Sequence, residues 1–324
     1  MPGWCRAGQP GATLRPTPDV SVSRHGPHGY TSRTVPIAVI AFDFDPLLRL
    51  GDGLVVRWQT VALAAIVAVC LLLAGVLGRR ASLRSDDLLY IAVGAVPGAV
   101  VGGRLGQLAM VPQAFNGGPL TLFDPAIGGL ELGLGVVGGI LTGAYVGSLL
   151  GAPVGRWAHT LALPLLIAIG AGKIAMALGG SGQGLPVQAA WATAYLGPGP
   201  WGSLAPQLPS HPSQLHEGVA TLVLAIVFAV GGIGASSAGR DGRLLLIVMG
   251  TWAAIRALVS VTWRDPAVLG PLPVGGVLAV AIVIGAGIAL AGSPWWSRRR
   301  LRREAERAAR EVPSWPDPET RVEF

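Results

Sequence analysis

The chain has 324 residues, 51% hydrophobic and only 13% charged, with a mean hydropathy of +0.56, whereas a soluble domain carries about 25% charged residues. That balance excludes an ordinary soluble globular protein and indicates a polytopic membrane protein, in which close helix packing explains the 48 glycines. The formal charge of +7 does not argue for nucleic acid, because much of it sits in "RRRLRREAERAAR" beside a membrane span, where arginines set orientation.

In chain order, residues 1–36 come first. They are rich in Gly, Pro, Ser and Thr without an apolar period and read as a disordered leader or a start-site artefact. No apolar h-region of a signal peptide lies beside the N-terminus, and Cys5 lacks the residues of a lipobox. Cys5 and Cys70 lie in different environments and are not expected to pair.

About seven apolar spans follow in a 37–296 membrane domain, near 58–78, 88–110, 129–150, 157–179, 214–234, 243–263 and 271–293, each close to the roughly 20 residues that cross a bilayer. The predicted fold class is all-α. "RRASLRSDD", Arg156, "AGRDGR" and the 297–324 basic tail fall on one side, while loops 111–128 and 180–213 contain no Lys or Arg and the loop after the sixth span has only Arg264. The expected topology is N-terminus outside and C-terminus cytoplasmic. Arg6, Arg15, Arg24 and Arg33 of the leader run against it, a conflict that a misplaced start removes. The loop 180–213 carries Trp, Tyr and Pro and is expected at headgroup level on the outer face, either as a functional element or as a passive connector. The end of the tail, "EVPSWPDPETRVEF", reads as flexible.

Ionisable side chains inside spans are costly unless paired or facing water. Arg104 lies in the second span, Lys173, the chain's only lysine, in the fourth and Arg256 in the sixth, while Glu217 with His216 and His211 opens the fifth in "HPSQLHEG". Lys173 lies near a helix end, where a long side chain can also snorkel. With Glu217 as the anion at membrane depth, three cations leave positive charge unmatched, which suits a phosphate gripped by arginine. An outward-facing cavity for an anionic lipid headgroup is one reading and a structural ion-pair network the other.

The motifs "FDFDPLLRLGDGLVVRW", "GGRLGQL", "GLGVVGG", "GAGKIAMALGGSGQG" and "HPSQLHEG", within a likeness that runs in order from about residue 40 to 290, resemble the bacterial phosphatidylglycerol:prolipoprotein diacylglyceryl transferase family. The resemblance implies a metal-free bacterial enzyme of the inner (cytoplasmic) membrane, without cofactor, with seven spans and a cavity open to the outer face. It also implies the partners: phosphatidylglycerol as donor and, as acceptor, the signal peptide of a prolipoprotein with its lipobox cysteine, within the bilayer and without nucleic acid. Carried over residue by residue, Arg104, Lys173 and Arg256 are expected on the lipid phosphate, Glu217 with His216 or His211 in the proton relay, and Ser213 and Gln214 as motif support.

Several positions depart from the family pattern. Val137 stands where the family has a histidine. Lys173 replaces an arginine, Met176 and Gly179 two asparagines, and Ser181 a glutamate. Gln59 and Trp252 replace tyrosines, His216 a further tyrosine, Ser260 a glutamate and Gly276 a glutamine. Valine can take no proton, and lysine lacks the bidentate fork. Three functions therefore stand at this point: a divergent transferase, a catalytically silent homologue that binds phosphatidylglycerol or a lipoprotein precursor, and a transporter that reuses the cavity.

Overall fold

The computed structural model describes residues 39–311 except residue 52, 125–127 and 232–240, and gives the backbone alone for residue 119 and for 293–311. The leader 1–36 and the end of the tail lie outside the described residues.

Seven helices long and apolar enough to cross a membrane occupy the predicted places. They are α1 (Trp58–Arg80), α2 (Ser85–Met110), α3 (Leu132–Leu149), α4 (Val154–Ala175, prolonged by a 3-10 turn at Met176–Gly179), α5 (Ser213–Val230), α6 (Arg243–Ser260) and α7 (Val274–Glu311). The protein is an all-α multi-pass membrane protein. The helix α7 does not stop at the end of its span but continues to Glu311, because "RRLRREAERAARE" consists of strong helix formers.

Trp157, Leu166, Val248 and Trp252, large apolar side chains buried almost completely, lie on α4 and α6. Aliphatic side chains such as Leu72, Val93, Leu141 and Ile226 point outward. That is the inverse of a soluble bundle and what lipid requires. Between α2 and α3 the backbones touch: a Cβ on Gly138 would stand 2.1 Å from the Gly98 carbonyl oxygen, and one on Gly98 would stand 2.3 Å from that of Gly138. Only glycine fits either position. Gly138→Leu should therefore lower the thermal unfolding midpoint in detergent, since overpacking costs about 1–3 kcal/mol or more. Gly285→Leu, on a face of α7 with nothing within 4 Å, should leave it unchanged.

At one end of the bundle α1 joins α2 through residues 81–84 and α3 joins α4 through residues 150–153, with Arg156 donating to the Ala81 carbonyl. The other end carries a folded cap. Strand β1 (Ile40–Phe42) pairs in parallel with β4 (Thr193–Tyr195), β2 (Leu47–Leu50) with β3 (Leu54–Arg57) antiparallel, and β5 (Ala267–Leu269) with β6 (Leu272–Pro273) antiparallel. The loop 180–213 is thus no slack connector. Thr193, Tyr195 and Ser210 within it are completely buried, and Tyr195 stacks on Phe42 at 5.0 Å and lies 4.8 Å from Trp201. Burial pushes the Tyr195 phenol up to about 12.

Candidate functional site

The site begins with a crossing of two glycines. On α4, "IGAGK" places Gly170 one turn before Lys173; on α5, "HEG" places Gly218 directly after Glu217. A Cβ on Gly218 would stand 2.9 Å from the Gly170 carbonyl oxygen, so α4 and α5 approach as only small residues permit. The approach brings Lys173 Nζ to 2.8 Å from Glu217 Oε2, with the carboxylate fully buried. Lys173 therefore does not snorkel: its side chain is 11% exposed and its ammonium is paired within the bundle.

From α6, Arg256 closes the arrangement with two different nitrogens. Nη1 donates to Glu217 Oε1 at 2.9 Å and Oε2 at 3.2 Å, and Nη2 donates to Glu131 Oε1 at 2.8 Å. Glu131 is the N-cap of α3, accepting from the Gly133 and Leu134 amides, each at 2.7 Å. Trp263 lies over both cations, 4.6 Å from Arg256 Cζ and 5.7 Å from Lys173 Nζ, close enough for cation–π attraction. Two cations and two carboxylates thus balance. The count of three cations for one carboxylate is corrected by Glu131, which the sequence reading passed over as part of the glycine-rich start of the third span.

This network forms a wall of a cavity of about 610 Å³, lined also by Gln59, Gln107, Gln214, Trp263, Arg264 and Asp265. A second cavity of about 530 Å³ runs between aliphatic residues of α1 to α4. The two share Leu130, Glu131, Leu132, Val136, Leu165 and Ala168. The polar chamber and the apolar groove therefore adjoin at these residues. Two fully buried side-chain atoms of the chamber's residues have no hydrogen-bond partner among the described residues, Arg256 Nε and Gln214 Oε1; the Gln214 amide donates to the Tyr195 hydroxyl at 2.9 Å.

Of the residues singled out from sequence, Lys173, Arg256, Glu217 and Gln214 line the cavity, and Arg104, Ser213, His211 and His216 do not. Arg104 is buried on α2 and donates to the Asp124 carbonyl at 2.9 Å, on the connection to α3; its neighbour one turn on, Gln107, reaches the cavity instead. Ser213 shares a 2.7 Å hydrogen bond with Thr262. The rings of His211, which precedes α5, and His216 lie 6.3 Å apart, and His216 points about 100° away from Glu217, as consecutive helical residues do. Val137 lines neither cavity, whereas Val136 lines both. Two departures from the family pattern meet one another: Ser181 Oγ donates to Gln59 Oε1 at 3.0 Å.

Trp263 and Arg264, next to one another after α6, are functional candidates that the sequence reading did not single out. Arg264 fastens the cap, donating to the Gly184 carbonyl at 2.6 Å, Gln183 Oε1 at 3.1 Å, Ser203 Oγ at 3.2 Å and Ser210 Oγ at 2.9 Å. Arg264→Leu should release the loop. We expect proteolytic cleavage within 183–210 to accelerate at least about tenfold, since hydrogen bonds to a charged group contribute about 1.5–3 kcal/mol each, with helix content by circular dichroism unchanged.

Comparison with known proteins completes the picture. Residues 46–291 match the family described as Prolipoprotein diacylglyceryl transferase. A protein of Clostridioides difficile (strain 630), called phosphatidylglycerol–prolipoprotein diacylglyceryl transferase, is 22% identical over 237 residues, covering 73% of this chain and 90% of that protein. Proteins of the same name from Geobacter sulfurreducens and Methylocella silvestris are 30% identical over 195 residues and 28% over 270 residues, covering 58% and 78% of this chain and 71% and 94% of theirs.

Proposed function

The chain belongs to the prolipoprotein diacylglyceryl transferase family, and we propose that it moves the diacylglyceryl group of phosphatidylglycerol to the lipobox cysteine thiol of a prolipoprotein. In this reaction the thiol gives up its proton, the sulfur attacks the glycerol carbon that carries the phosphate, the carbon–oxygen bond breaks and glycerol phosphate leaves. A proton acceptor and cations on the leaving phosphate are what the chemistry needs.

One observation carries the reading: the buried Lys173–Glu217–Arg256 network stands in the wall of a polar cavity that adjoins an apolar groove along shared lining residues. A two-chain phospholipid fits such a shape, its headgroup in the chamber and its chains in the groove. Lys173 uses one of its three donors on Glu217, and its others, with Arg256 Nε, serve the phosphate. Glu217 receives the thiol proton. His211 and His216 belong to the surroundings of the site, and Arg104 to the support of its rim.

The cavity reaches the capped end of the bundle, where Gly182 and Gln183 of the loop 180–213 line it. We place that end of the bundle outside and the arginine-bearing connections in the cytoplasm, in the inner membrane of a bacterium, as the arginine distribution supports. Complementation of a conditional transferase mutant tests the whole reading. Growth restored by this chain is the expected result; normal membrane insertion without rescue would overturn the transferase reading.

A further inference from the structure

Glu131 is the one charged residue, among the described residues, that lines both the polar chamber and the apolar groove. On the transferase reading just proposed, a phospholipid with its headgroup in one and its chains in the other carries its glycerol past the residues the two share. The carbon to be attacked thus passes beside Glu131.

Glu131 is also the most firmly anchored member of the network. Its side chain is held at the N-terminus of α3 by two backbone amides at 2.7 Å, where a carboxylate is favoured by capping and by the helix dipole. Its backbone amide donates to the Gly103 carbonyl at 2.9 Å. The chain passes through a notch in α2 at Gly106, where an added Cβ would lie 2.6 Å from the Glu131 Cβ. Two of its three hydrogen bonds come from backbone amides, so its position is set by the fold of α3 and not by side chains that can move. What it holds is Arg256 Nη2, at 2.8 Å, while Nη1 is held by Glu217. Two carboxylates from different helices fix the plane of one guanidinium.

We propose that Glu131 is a positioning residue: from the cap of α3 it orients Arg256 toward the leaving phosphate and sets where the lipid's glycerol lies. Two substitutions separate this role from capping. In Glu131→Asp the cap is retained, since aspartate is a preferred N-cap, but the side chain is one methylene short of Arg256. In Glu131→Gln the reach is retained and the charge lost. Full-length protein in nanodiscs is titrated with phosphatidylglycerol by native mass spectrometry, with phosphatidylethanolamine as the control lipid, and is assayed for transfer to a lipobox peptide.

We expect Glu131→Asp to keep the wild-type helix content by circular dichroism yet to bind phosphatidylglycerol about tenfold more weakly and transfer about thirtyfold more slowly, as for a lost hydrogen bond to a charged group. Glu131→Gln should lose less of both. Wild-type affinity and transfer in Glu131→Asp would overturn the proposal and leave Glu131 a helix cap, and so would a greater loss in Glu131→Gln than in Glu131→Asp. A wild-type chain that binds the lipid without transferring it contradicts the transferase reading instead, and the affinities still decide the role of Glu131.

Discussion

Replacing Glu217 by glutamine should reduce transfer by about a thousandfold, within the 10²–10⁴ that a positioned proton acceptor contributes. Glutamine keeps the size of the side chain and removes its charge. It leaves Lys173 and Arg256, both buried, facing Glu131 as the one carboxylate of the network. Removing one partner of a buried pair costs about 3–5 kcal/mol, so the unfolding midpoint should fall as well. The double substitution Lys173→Met with Glu217→Gln separates the two effects. Removing both members of an ion pair is close to neutral for stability, so the midpoint should recover while transfer stays absent. Transfer within about threefold of wild type in the single variant would show that Glu217 takes no proton.

The second large effect is expected at Arg256, and it follows from geometry rather than charge. Its two terminal nitrogens reach carboxylates on two helices, Glu217 on α5 and Glu131 at the cap of α3, at 2.9 and 2.8 Å. A lysine offers one nitrogen on a flexible stem and can satisfy one of them at a time. Arg256→Lys should slow transfer about a hundredfold, by kcat at saturating lipid in a nanodisc assay. Lys173 makes a single contact with Glu217, so Lys173→Arg should remain within about tenfold of wild type. Equal losses in the two variants would mean that charge alone matters at Arg256.

The seven spans were legible because long apolar runs are a strong signal, and the helices fall within a few residues of the expected bounds. The strands of the cap were not. They have two to four residues, too short for an alternating pattern, and β1 pairs with β4 more than a hundred residues away. Of the site, Lys173, Glu217 and Arg256 were legible because a charge inside a span requires a partner. Their mutual distances depend on the glycine crossing at Gly170 and Gly218, which sequence can suggest but not orient.

Glu131 escaped for a different reason. It lies in "GGLELGLG" at the edge of a span, where a lone acid reads as an interface residue, and its partner Arg256 is 125 positions away. Its signal was local: an acid followed by a helical run is an N-cap with the dipole in its favour. Recognising that cap would have shown the charge count to balance. Arg104 errs in the other direction, since a flanking glycine pair was compatible with approach of a lipid or of the protein's own chain, and the Asp124 carbonyl is what it meets.

On the proposed mechanism, a charge-balanced network of Lys173, Glu217, Arg256 and Glu131 suffices for transfer without the histidine that the resemblance expects at position 137. The most direct measurement is the mass of a synthetic lipobox peptide after incubation with the purified chain in phosphatidylglycerol nanodiscs. The account predicts a peptide heavier by one diacylglyceryl group on its cysteine, with an equal amount of glycerol phosphate released. An unmodified peptide in the presence of bound phosphatidylglycerol would contradict it.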